Sequence, residues 1–160
     1  MDLKFKVMMI VGRPVHDVFE AVADPKQLSS YFTTGGASGR IEAGKTVTWD
    51  FHDFPGAFPV EVDEVVPNEK IVFRWEAAEG EQVADGEIQI KPAGYKTLVT
   101  MTFKPTDDGR TLVEIEEKGW RETEPGLQAS YNNCMGWSQM LAALKAWVEH
   151  GINLREGAYK

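Results

Sequence analysis

The chain has almost nothing that could staple it covalently, tie it to a bilayer or draw it to a polyanion. A single cysteine, Cys134, occurs in 160 residues, so no intrachain disulfide can form. The N-terminal residues from Met1 to Lys6 alternate apolar with polar and offer no apolar leader. Both features predict a reducing, cytoplasmic location. No stretch approaches the ~18 consecutive apolar residues of a membrane span. Lys and Arg number 17 against 25 Asp and Glu, a formal net charge of -8, and no basic cluster offsets it. Such a surface repels phosphate backbones, which excludes nucleic acid as an expected partner. The three histidines, His16, His52 and His150, lie far apart and share no ligand spacing with Cys134. No zinc site is therefore expected. Phosphate-binding glycine loops, dinucleotide fingerprints, nucleophile elbows and HExxH motifs are also missing, so no cofactor is expected.

What the chain does contain is alternation. Leu3, Phe5, Val7, Met9 and Val11 alternate with Lys4 and Lys6, the period of a strand. Gly12-Arg13-Pro14 breaks it, with Pro14 placed to begin a helix bearing Val15, Val18, Phe19 and Val22. Asp24-Pro25 signals the cap of a second short helix ending near Tyr31-Phe32, and a loop is expected at Thr33-Thr34-Gly35-Gly36. Val47, Trp49 and Phe51 then alternate with Thr48, Asp50 and His52. A turn is expected at Phe54-Pro55-Gly56-Ala57 before Val60 and Val62, and another at Pro67-Asn68 before Ile71, Phe73 and Trp75. Ile88 and Ile90 read as a further strand behind Ala84-Asp85-Gly86. Val99, Met101 and Phe103 form the next, and Asp107-Asp108-Gly109 reads as a hairpin loop before Val113 and Ile115. Short alternating strands joined by turns predict an antiparallel meander with one apolar face.

After an expected Pro125-Gly126 turn comes one long amphipathic helix. Its stripe is Leu127, Tyr131, Cys134, Gly136-Trp137, Leu141, Leu144 and Val148. It is the one element with enough apolar surface to cover the sheet. A long helix gripping a curved sheet implies an α+β architecture with a small apolar pocket between the two, the whole of residues 1–160 forming a single domain.

Most inward residues serve as ordinary core. The candidates for a ligand are the large aromatics near strand ends and loops, whose polar tips suit a pocket rim. These are Tyr31, Phe32, Trp49, Phe54, Phe58, Trp75, Trp120 and Trp137. Phe51, Phe73 and Met101 on the sheet, with Tyr131, Cys134 and Leu141 on the helix, complete the predicted lining. Cys134 has no evident base beside it and reads as a small buried hydrophobe. No residue is assigned a catalytic role. The one candidate acid is Glu117, which shares the phase of Val113 and Ile115. Buried beside a cavity it would hold a raised pKa and act as an acid. Because unpaired Glu is seldom buried, the expected placement is a frayed strand end where it reaches water. Tyr31, Asp53 and Glu122 are loop residues that could partner it.

The order strand, two short helices, meander, long helix resembles the helix-grip fold of the START-like (SRPBCC) superfamily. Three segments resemble homologues of the activator of the 90-kDa heat-shock protein ATPase. They are Pro14 with Val18-Phe19 and Asp24-Pro25; Gly44 with Val47 and Trp49; and Gly119 with Gly136-Trp137, Leu141 and Leu144. The resemblance implies a binding protein for a small hydrophobic, lipid-like or ring-bearing molecule. It also leaves open a cyclase- or hydrolase-type enzyme using Glu117 or Tyr131, and a chaperone-contacting module. Expected partners are thus the small molecule first, then a homodimer or a chaperone.

Overall fold

The computed structural model describes residues 2–80, 82–84, 87–89 and 91–159. In chain order it contains β1 (Lys4–Val11), α1 (Val15–Ala23), α2 (Pro25–Ser29), β2 (Gly36–Ser38), β3 (Thr46–Phe51) and β4 (Phe54–Val66). Then follow β5 (Lys70–Ala78), β6 (Gln82–Ala84), β7 (Glu87–Gln89), β8 (Pro92–Pro105), β9 (Thr111–Lys118) and α3 (Glu124–His150). Seven strands make one antiparallel sheet in the order β1-β9-β8-β5-β4-β3-β2. The fold is α+β and of the helix-grip type.

The sheet's inner face is the phase read from the sequence. Val47 and Trp49 on β3, Val60 and Val62 on β4, and Ile71 and Phe73 on β5 are buried. So are Val99, Met101 and Phe103 on β8, and Val113 and Ile115 on β9. They form one core with Trp137, Met140, Leu141 and Leu144 of α3, while α1 and α2 contribute Val18, Phe19, Val22 and Leu28. Leu144→Ala or Leu141→Ala is therefore expected to lower stability by about 2–4 kcal/mol, the cost of a core cavity. Urea unfolding of each variant checks this; melts that match the parent would mean that α3 does not hold the sheet.

Local chemistry sets the helix boundaries. Pro14 sits at the N-cap of α1, one position before the helical start expected for it. The Asp24 side chain caps α2 by accepting from Lys26 N–H, with Pro25 in the first turn. Pro125-Gly126 is not a turn: both residues lie inside the first turn of α3, whose cap is Thr123. Proline suits that position because its missing N–H would have no helical partner there. Gly126 is required for space, since a Cβ there would lie 2.1 Å from the Arg121 carbonyl oxygen.

The sheet departs from expectation at three places. The chain reverses at His52-Asp53, so that Phe51 pairs with Phe54, and the expected 54–57 turn is strand. Gly56 there adopts a φ of 120°, which lets the strand bend in a way that reads in sequence as a turn. Gly36, read as the end of a loop, begins the edge strand β2, for which the sequence reading placed no strand. Finally, β6 and β7 form a separate two-stranded pair outside the main sheet. The segment around Ile88 therefore does not extend the core meander as expected; Asp85, Gly86 and Ile90 lie outside the described residues.

Candidate functional site

Where α3 crosses the open end of the sheet, the two surfaces separate around a cleft of about 270 Å³. The sheet supplies Phe51, Phe54 and Phe58 from the β3–β4 hairpin and Trp75, Glu76 and Ala78 from the end of β5. Strand pairing slips between Glu76 and Ala78, and both of those residues line the cleft. Helix α3 contributes Asn132, Asn133, Gly136, Trp137 and Met140, and Phe32 enters from behind α2. The C-terminal segment closes one side with Arg155 and Tyr159.

Aromatic contacts organise this wall. Trp137 stacks on Phe32 with centroids 5.7 Å apart and meets Trp75 at 5.4 Å. Trp75 in turn stands edge-on to Trp49 and Phe73. Gly136 makes room for the cleft. A Cβ built there meets no atom within 4 Å. Glycine in a helix interior costs about 1 kcal/mol relative to alanine, and nothing in the packing compels it here.

Behind the two indoles lies Glu117, which is fully buried rather than frayed into water as expected. Trp75 Nε1 donates to its Oε1 at 2.9 Å, and Thr97 Oγ1 donates to the same oxygen at 2.7 Å. Trp137 Nε1 donates to Oε2 at 2.7 Å, and Asn133 Nδ2 reaches both oxygens at 3.1 and 3.2 Å. β9 continues regularly through Glu117, which pairs with Phe5 on one side and Val99 on the other. The expectation failed because the donors that make burial tolerable come from β5, β8 and α3, far away in sequence. Burial raises the carboxyl's pKa above its ordinary value, and the hydrogen bonds from Trp75, Thr97, Trp137 and Asn133 oppose that rise. An indole N–H can only donate, so this arrangement suits an ionised carboxylate. Glu117 holds the wall of the cleft and is not among the residues that line it.

A second buried charge fixes the rim. Asp53 and Arg155 are both buried and pair bidentately, Nη2 to Oδ1 at 2.8 Å and Nη1 to Oδ2. The guanidinium also lies over the rings of Phe51 and Phe54, each at 5.7 Å, and of Tyr159 at 4.6 Å. Arg155 and Tyr159 carried no sequence signal. Their role depends on a return of the chain to the β3–β4 hairpin, which neither periodicity nor spacing records.

The structure brings together Phe32, Phe51, Phe54, Phe58, Trp75 and Trp137 as lining. It places the other expected residues elsewhere. Tyr31, Trp49, Phe73, Met101 and Leu141 are core, and the Tyr31 hydroxyl donates to the Ala21 carbonyl. Burial pushes that hydroxyl's pKa well up. Trp120 packs in a separate cluster with Ala77, Ala129 and Phe5. Tyr131 is exposed, and Cys134 is half-buried outside the lining. The helix stripe differs from expectation in its first half: Ala129 and Ser130 are buried, while Leu127 and Tyr131 face outward and Met135 stands exposed at the cleft's edge. Large apolar residues marked the stripe, but the buried face there needs small ones to let α3 approach the sheet.

Comparison with known proteins agrees with the fold. The profile of the family described as activator of Hsp90 ATPase homolog 1-like protein matches residues 13–149. The chain is similar to DynU16, a protein from the dynemicin biosynthetic locus, with 25% identity and a TM-score of 0.74. That similarity covers 94% of this chain and 49% of DynU16, so the chain spans about half the length of that relative. Protein SSP2350 from Staphylococcus saprophyticus is 26% identical with a TM-score of 0.71, covering 96% of both chains. The Aha1 dimer from Colwellia psychrerythraea shares the fold at 18% identity and a TM-score of 0.68, covering 92% of this chain and 96% of that one. None of the curated proteins matches the chain. Among the described residues, no helix is long and apolar enough to cross a membrane.

Proposed function

We propose that this chain, which belongs to the family of activator of Hsp90 ATPase homolog 1-like proteins, binds a small ring-bearing molecule in the cleft between α3 and the sheet. The observation that carries this reading is the aromatic wall opened by Gly136. The volume suits a ligand of one or two rings. Few polar groups converge on it, the usual make-up of a small-molecule site. Acid catalysis by Glu117 is less well supported, because both its oxygens are occupied by donors behind the indoles. Tyr131, the other candidate, is 60% exposed.

Gly136→Leu tests the proposal directly. The leucine side chain should occupy the cleft while leaving stability equal to or above that of the parent, since it replaces a helical glycine. Neutral one- and two-ring aromatics are expected to shift the indole N–H signals of Trp75 and Trp137 in NMR titrations of the parent and to leave those of Gly136→Leu unmoved. Equal binding by both proteins, or none by the parent, would overturn the reading. Contact with a chaperone, which the family's description suggests, is a second reading. It is favoured by the exposed Leu127 and Tyr131, one turn apart on α3 and outside the cleft. Loss of Hsp90-type ATPase stimulation in Tyr131→Glu would support it.

A further inference from the structure

The cleft has a chemical bias beyond its apolarity. Two of its indoles, Trp75 and Trp137, both point their N–H groups at the same buried carboxylate. A donor bonded to an anion is polarised, and the ring left behind becomes richer in electrons. No Lys, Arg or His among the described residues pairs with Glu117, so its charge is balanced by dipoles alone. A second carboxylate, Glu76, lines the cleft and is held by the Gly94 N–H at 2.7 Å. The one cation in the lining is Arg155, which Asp53 neutralises. Its guanidinium, lying over Phe51, Phe54 and Tyr159, shows that the rings at this rim already hold a cation by their faces. Across the cleft, no cation among the described residues lies over Trp75, while Trp137 is buried in the stack between Phe32 and Trp75.

Resting on the pocket reading above, we infer that the ligand is a cation with an apolar body, of the quaternary or tertiary ammonium class, seated against Trp75, which Trp137 backs, in front of Glu117. Aromatic walls attract such groups through the negative ring face, most strongly when water is excluded. The Glu117 carboxylate adds to that attraction through the indoles, and Glu76 adds to it directly. A carboxylate or phosphate ligand would face both charges and be rejected.

The test compares two probes of nearly the same shape, phenyltrimethylammonium and tert-butylbenzene, titrated into the full chain and followed by the Trp75 and Trp137 indole signals. The cation is expected to bind about tenfold more tightly, the scale of a well-formed cation–aromatic contact. That preference should fall by most of its size in Glu117→Gln and by a few fold in Glu76→Gln. The second variant carries the test if the first does not fold. Equal or tighter binding of tert-butylbenzene would overturn the inference and leave the pocket standing. Failure of both probes would remove the pocket reading and the inference with it. A preference unchanged in every folded variant would show that the carboxylates are not its source, and would overturn the assignment.

Discussion

Replacing Glu117 with alanine is expected to destabilise the protein by about 4–5 kcal/mol, the upper range for removing one partner of a buried charged network. The reason lies in what remains. Trp75, Thr97, Asn133 and Trp137 would keep their donors inside the fold with no acceptor. Each unsatisfied buried donor costs about 1–3 kcal/mol, reduced where the side chain can turn away. The two indoles cannot turn without breaking the stack that joins Phe32, Trp137 and Trp75. Urea unfolding at pH 7 reads the loss, and a change below about 1 kcal/mol would show that the network contributes nothing net.

The sign of the pH dependence follows from the same group. Burial, the largest influence, puts the folded pKa above the ordinary 4.5. The folded protein then holds this proton more tightly than the unfolded chain. Glu117's contribution is fully present below the unfolded value and declines as pH rises through the folded one. The stability difference between the parent and Glu117→Gln should therefore shrink from pH 4 upward. A difference that grows over that range would mean that the four donors outweigh burial.

The second large effect is expected at the rim. Arg155→Ala leaves Asp53 buried and unpaired, and should cost about 3–5 kcal/mol. It also strips the guanidinium from Phe51, Phe54 and Tyr159. The segment that carries Arg155 has few other anchors: the Tyr159 ring meets Phe54 at 5.6 Å, and Asn153 caps the local turn. Limited proteolysis should then cut residues 151–159 faster in Arg155→Ala than in the parent. An Asp53→Asn, Arg155→Ala double variant should recover part of the lost stability, since no charge is left stranded. Protection equal to the parent's would mean that the ion pair does not hold the tail.

Alternation read from the sequence located the inner faces of β3, β4, β5, β8 and β9, because strand periodicity is local and burial follows it. The same reading placed the long helix and the aromatic part of the cleft wall, Phe32, Phe51, Phe54, Phe58, Trp75 and Trp137. It could not separate these from Trp49, Phe73 and Met101, which share the same phase one step deeper in the core. Depth along a strand depends on where the helix crosses, and the small buried residues there are Ala129 and Ser130.

Tertiary structure alone decided the electrostatics. Glu117 was visible as an inward carboxylate, but its donors come from three other elements, separated from it by 16 to 42 positions. Asp53 and Arg155 are 102 positions apart. Periodicity reports which side of an element faces inward. It holds no information about which distant groups arrive there, and burying a charge is favourable or ruinous according to those groups alone.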